Sequence, residues 1–289
     1  MKIEEQYVKD VDKLLPCPDI ALAVLKIAHE SDCNVPELSR QIEKDPTLTA
    51  NMLKMANSAY FGHMKRINSV TDIIVRLGME TVKLIAITSA SMGLLGSSQK
   101  AYNLISGALW RHSYATAILA SILGRYAEHE DAAGLYTAAL LHDIGKVILN
   151  KHLQREIYNA DEPQPGTVLV AYERSLLHTD HARVGEALLL KWGLPDSITG
   201  PVGAHHLHPQ PEDALPATGI VRLANILTEQ MGFHSMDEGH PLTRIAECLA
   251  EESEWPDVPN FIDNRERIIE EFFTKYNESS SIFFSLNDQ

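Results

Sequence analysis

Cysteine is scarce in this chain: Cys17, Cys33 and Cys248 stand far apart, and none belongs to a Cys-x-x-Cys pair. That spacing suggests neither a disulfide framework nor a thiolate zinc site and leaves three isolated thiols. Long apolar runs are lacking too. The longest uncharged one, about residues 84–96, is too short to span a bilayer, and Met1-Lys2-Ile3-Glu4-Glu5 is not the start of a secretory leader. A cytoplasmic protein without a membrane partner is expected. Strand-like alternation is essentially absent, which predicts an all-α fold. Positive charge is in deficit, with 25 Lys and Arg against 39 Asp and Glu, a net charge of −14. The whole deficit lies beyond residue 100: twelve basic and twelve acidic residues precede that point, thirteen and twenty-seven follow it. Eleven of the thirteen histidines lie there as well. An acidic, histidine-rich half suits cation binding and repels a nucleic-acid backbone, so no nucleic-acid partner is expected.

Apolar periodicity predicts helices over 19–29, 35–42 and 47–57, the last opened by Asp45 as N-cap with Pro46 at the first helical position. The last two resemble a helix-turn-helix in outline. The second of them offers only Lys54 in neutral surroundings, so ordinary packing is the expected role. Ser69 with Asp72 predicts a capped helix ended by Gly78, followed by another over 80–91. Gly96-Ser97-Ser98 marks 93–100 as a linker. Beyond it, 106–126 is predicted as a long buried helix carrying His112, and 132–149 as one continuous buried helix. Further helices are predicted over 168–177, over 180–192 with Gly193 and Pro195 as stop signals, from an N-cap at Asp196 to His205-His206, and over 217–231. A last amphipathic helix, 261–276, carries Ile262, Ile268, Ile269, Phe272 and Phe273 on its apolar side and is expected to pack back on the chain, with 279–289 loose. Three regions result: an N-terminal helical subdomain over 12–96, a histidine-bearing one over 101–232 and a C-terminal extension over 233–289.

His142-Asp143 sits inside an otherwise apolar helix, where a charged carboxylate needs a positive partner. A bound cation would supply one; backbone N–H groups or a lone lysine are the ordinary alternative. His112, His181, His205, His206 and Asn225, together with His142 and Asp143, are candidate ligands drawn from five helical segments. His178 competes with His181 for the inward direction, and His152 and His208 read as solvated. Imidazoles and a carboxylate without thiolate suit a divalent transition metal such as Fe, Mn, Zn, Ni or Co, as one or two ions.

The run Leu141-His142-Asp143-Ile144-Gly145-Lys146, with His112 before it, resembles the HD superfamily of metal-dependent phosphohydrolases, and its HD-GYP branch in particular. Leu15-Pro16, Asp45-Pro46-Thr47-Leu48-Thr49, Ala56-Asn57-Ser58-Ala59-Tyr60-Phe61-Gly62, Leu77-Gly78, Asp180-His181-Ala182, Trp192-Gly193-Leu194-Pro195 and His205-His206 resemble the HDOD family over residues 12–230. The resemblance implies a multi-helical HD-like bundle with an N-terminal helical subdomain, acting as a bacterial signalling or regulatory module. It also implies two metal positions sharing Asp143. One would use His112, His142, Asp143 and Asn225; the other would use Asp143, His181, His205 and His206. Asn225 stands where HD enzymes carry Asp, Leu207 stands where an acidic residue is expected after the histidine pair, and no Gly-Tyr-Pro follows. Asp143 and Lys146 are the candidate catalytic residues, with Lys146, Arg111 or Arg183 available to meet phosphate. Two functions follow as expectations: a regulator that engages a signalling protein or a phosphate-containing ligand, or a phosphohydrolase acting on a nucleotide or other phosphate ester.

Overall fold

The computed structural model of the chain describes residues 2–9, 23–24, 35–57, 66–153, 167–207, 216–233 and 258–284. The helix expected over 19–29 lies almost wholly outside them, and Cys17, Cys33, Cys248 and His208 lie outside them as well. Among the described residues the fold is all-α, with one isolated antiparallel bridge between Gln99 and Leu104.

After α1 (Ile3–Val8), the N-terminal helices are α2 (Val35–Glu43), α3 (Pro46–Ala56), α4 (Val70–Leu77) and α5 (Met79–Leu95). Asp45 caps α3 as expected, its Oδ1 accepting from Thr47 N at 2.8 Å and Leu48 N at 3.1 Å. Ser69 Oγ accepts from Asp72 N at 3.0 Å, and the return contact of Asp72 reaches the amide of Asn68 rather than that of Ser69. Gly78, at φ +80°, ends α4 and lets α5 begin at once. Helix α5 runs past its expected end because buried Leu94 and Leu95 hold its last turn in the core. The first three residues of the predicted linker are therefore helix.

The second group comprises α6 (Ala108–Tyr126), α7 (Ala132–Leu141), α8 (Ile144–Leu153), α9 (Thr167–Leu177), α10 (His181–Lys191), α11 (Asp196–Ala204) and α12 (Pro216–Gln230). The single helix predicted over 132–149 is broken at His142-Asp143. His142 Nδ1 bonds to Ala139 O at 2.6 Å, the carbonyl that the Asp143 amide would use in an unbroken helix, and Lys146 N turns back to Asp143 O across three residues. The expected cap at Asp196 is also corrected. Pro195 occupies the N-cap and Asp196 is the first helical residue, where its charge favours the helix N-terminus without a side-chain bond.

Helix α6 is the central rod, packed against α7, α12 and α13 (Phe261–Phe284); α10 lies on α8 and α11, and α5 joins the N-terminal helices to α6, α7 and α8. Phe261, Ile268, Phe272 and Tyr276 of α13 are buried, while Ile262, expected on that face, is 55% exposed. The helix continues through Ser279, whose hydroxyl bonds to Lys275 O at 2.8 Å, and on to Phe284, where looseness was expected; residues 285–289 lie outside the described ones. The apolar stretch Ala132–Leu153 is long enough to cross a bilayer, but nearly all of it is buried within the protein.

Gly145 permits a close approach between α8 and α10. A Cβ there would lie 1.9 Å from His181 O and 2.8 Å from Gly185 N, so the α8 and α10 backbones touch at this point. This contact brings His181 beside Asp143. Gly145→Ala is expected to destabilise the fold by about 3 kcal/mol or more, since rigid backbone must move to admit the methyl; a denaturation midpoint within error of wild type would contradict that close crossing.

Candidate metal centre

Asp143 lies at the α7–α8 break and is 1% exposed, with its two oxygens facing different partners. Oδ2 accepts from Lys146 Nζ at 2.7 Å and lies 3.5 Å from His142 Nε2 and 3.6 Å from His112 Nε2. Oδ1 lies 3.2 Å from His181 Nε2 and 3.9 Å from His205 Nε2. His181 Nε2 in turn lies 3.0 Å from His206 Nε2. On the other side, His112 Nε2 is 3.2 Å from His142 Nε2 and 2.9 Å from Asn225 Oδ1. The structure thus gathers Asp143, His181, His205 and His206 in one group, and His112, His142 and Asp143 in another, ligand atoms within 4.8 Å of one another in each. Asn225 adjoins the latter.

Partners on the far side of three of the rings fix which nitrogen faces inward. His142 Nδ1 meets Ala139 O, His205 Nδ1 meets Val202 O at 2.7 Å, and His181 Nδ1 meets Glu173 Oε2 at 2.8 Å. Carbonyls and carboxylates only accept, so each Nδ1 carries hydrogen; the neutral rings of His142 and His205 turn an Nε2 lone pair toward Asp143, and His181 would do so once its Nε2 proton is lost. Asn225 is oriented likewise: its Nδ2 donates to Glu229 Oε1 at 3.3 Å, which leaves Oδ1 for His112.

Charge states follow from burial and these neighbours. Burial holds His142 below the usual imidazole range, His205 and His206 well below it, and His112 down at about 3, so all four are neutral at physiological pH. Burial opposes the ionisation of Asp143, but Lys146 and the surrounding imidazoles outweigh it and keep the carboxyl well below the usual range. Burial likewise works against His181⁺, yet Glu173 raises that ring to about 9. Such a set fits a divalent cation, because the buried His205 Nε2 lacks a hydrogen-bond partner and faces the same space as Asp143 Oδ1, 3.9 Å away.

Three features depart from the sequence reading. Lys146, expected to be available to meet phosphate, is buried and paired with Asp143, so the lone lysine that was the ordinary alternative to a cation is present. Arg183 pairs with Glu186 at 3.0 Å. Glu173, Tyr102 and Glu229 were not foreseen, although all three adjoin the candidates. Glu173 did leave a trace: it follows Leu169 by four positions and Val170 by three, on the buried stripe of α9 where an acidic residue is out of place. Of the alternatives, His181 faces the centre, whereas His178 is exposed in a left-handed turn and exposed His152 rests against Tyr7.

Comparison with known proteins agrees with this architecture. The HDOD domain pattern matches residues 14–208. The chain belongs to the HDOD family. Among solved structures, an HDOD domain protein of unknown function from Geobacter sulfurreducens is 21% identical with a TM-score of 0.69, covering 90% of this chain and 92% of its own. A candidate metal-dependent phosphohydrolase from Shewanella amazonensis SB2B is 19% identical with a TM-score of 0.61, covering 98% and 100%. At these identities the likeness establishes the fold. A curated but uncharacterized protein of Treponema pallidum (strain Nichols) is 24% identical over 228 residues; this HDOD chain covers 44% of that relative's length, and the match takes in 78% of this chain.

Proposed function

We propose that this HDOD protein is a bacterial cytoplasmic signalling module whose buried His/Asp centre holds one divalent transition-metal ion at Asp143, His181, His205 and His206, and that occupancy of the centre, rather than turnover, is its output. The observation that carries this reading is the unequal use of the Asp143 oxygens. Oδ1 faces His181 Nε2, whose proton an ion would displace, and the unpartnered His205 Nε2, while Oδ2 is engaged by Lys146 on the side where Asn225 takes the place of a carboxylate. The Asn225 side therefore offers a second ion less negative charge and a ligand oxygen already in use. His112, His142, Asp143, His181 and His205 are buried, which suits a sensing or structural ion better than one that must admit a phosphate ester.

Metal analysis after chelator-free purification is expected to give about one ion per chain, with turnover of nucleotides and generic phosphate esters far below the roughly 1 per second of ordinary enzymes. Turnover at that level would establish the second reading, a phosphohydrolase. The retained histidine set and the partial exposure of His206 speak for it, and a bound divalent ion would supply Lewis-acid activation of the phosphoryl group. Lys146 would then serve as a positive group beside Asp143.

The charge states give a further expected result. At neutral pH His181 carries the proton that an ion at Nε2 must displace, because its pKa is raised to about 9. Binding should release about one proton per ion at pH 7, and affinity should rise about tenfold per pH unit until it levels near pH 9. Calorimetry in buffers of different ionisation enthalpy measures the proton count; no release would mean that His181 is not a ligand.

A further inference from the structure

Tyr102 and Glu173 are not among the candidate ligands, yet together they connect one of those ligands to the chain between the two helical groups. Glu173 is fully buried on α9 and uses both of its oxygens. Oε2 accepts the backbone N–H of His181 at 2.9 Å and its Nδ1–H at 2.8 Å, and Oε1 accepts the Tyr102 hydroxyl at 2.6 Å. Tyr102 stands in the loop 96–107, in a 3₁₀ turn (Lys100–Tyr102) between α5 and α6. That loop is closed by the Gln99–Leu104 bridge and tied to the end of α5 where Gly107 N and Ser106 Oγ both bond to Gly96 O. Ala101 N bonds to Asn150 Oδ1 at 2.8 Å, fixing the loop to α8, the helix that carries Lys146. The loop then enters α6, with His112 little more than a turn inside it.

We infer that loop 96–107 reads the state of the metal centre through Tyr102, Glu173 and His181. The inference rests on the proposed function, since it takes His181 as a ligand. An ion at Nε2 polarises the imidazole and strengthens the Nδ1–H bond to Glu173. Glu173 cannot shift alone, because each of its oxygens already serves a buried donor, and a lost bond leaves a buried polar group unsatisfied. Movement or stiffening of His181 is therefore passed to the Tyr102 hydroxyl and to the closed loop that carries it. The far end of the loop is the last turn of α5, the helix on which α3 and α4 pack. Occupancy thus acquires a mechanical route to the N-terminal helices.

The test is amide hydrogen exchange at Gln99, Ala101 and Leu104, with and without Zn(II) or Mn(II), with binding measured on the same samples. In the wild-type chain, ion binding is expected to slow exchange at these amides by about tenfold or more, while amides in the middle of α13 stay unchanged. Tyr102→Phe removes one hydroxyl and should bind the ion within about threefold of wild type, yet its loop should no longer respond. Glu173→Gln keeps the shape and should weaken binding by about 10–100-fold. Wild-type chain that binds the ion with no change in loop exchange would overturn the inference and leave the metal reading intact, as would a Tyr102→Phe loop that still responds. Wild-type chain that binds no ion would overturn both.

Discussion

Asp143→Ala is expected to abolish metal binding outright, whereas His112→Ala should leave the ion bound with nearly wild-type affinity. The difference follows from the placement of the two side chains. Asp143 offers Oδ1 to His181 and His205 and Oδ2 to the side of His112 and His142, and it is the only charged ligand in either group. His112 belongs to the Asn225 side alone. Loss of the carboxylate should weaken binding by well over the roughly 100-fold that the loss of a ligand's supporting hydrogen bond can cost. Removal of Asp143 also leaves Lys146 buried without its partner, a change that costs about 3–5 kcal/mol and could unfold the chain by itself. Asp143→Asn, which keeps an acceptor for Lys146, and Asp143→Ala combined with Lys146→Met separate the two effects. Binding measured by competition with a chromogenic chelator decides the matter: equal losses for the Asp143 and His112 variants would rule out Asp143 as the shared ligand.

Much of this arrangement was legible in the sequence, and the reasons differ by residue. Helix limits set by local chemistry, such as Asp45 with Pro46 or Gly193 after Trp192, could be read because their causes lie within a few residues. The candidate ligands could be read because histidine and aspartate inside apolar helices need a reason to be there. The break at His142-Asp143 could not, because it depends on a ring turning back to Ala139 O in competition with the helix ladder. A lone lysine was open as the partner of Asp143, but its burial was not foreseen: a lysine three residues after an aspartate is normally a surface pair, and only the packing of α8 into the core makes it a buried one. Glu173 left only the trace of an acidic residue on a buried stripe, and Tyr102 was hidden because Glu173 lies 71 residues away from it in the chain, a meeting that no local pattern encodes.

Asn225→Asp is the substitution for which the structure sharpens the expectation most. The added carboxylate would stand beside His112 and supply the charge that the first position lacks, so metal content is expected to rise from about one toward two ions per chain, with affinity at that position up by about tenfold or more. The same change sets a carboxylate where the Asn225 amide now donates to Glu229. Glu229 is already pushed up to about 7, chiefly by burial, and a second negative charge would raise it further. An acid with a raised pKa in the folded state favours folding only while it is protonated. The metal-free variant should therefore lose stability, relative to wild type, as pH rises from the ordinary glutamate range through about 7, and a bound ion should reverse that loss. Adding Glu229→Gln removes the conflict and isolates the gain in metal binding. Ion content, thermal midpoints at two pH values and phosphate-ester hydrolysis, measured side by side for wild type and both variants, give the outcome. If neither metal nor turnover increases, charge is not what closes the first position, and the Lys146 ammonium on Asp143 Oδ2 becomes its cause. If turnover rises with the second ion, the regulator retains a hydrolase centre held one carboxylate short of activity.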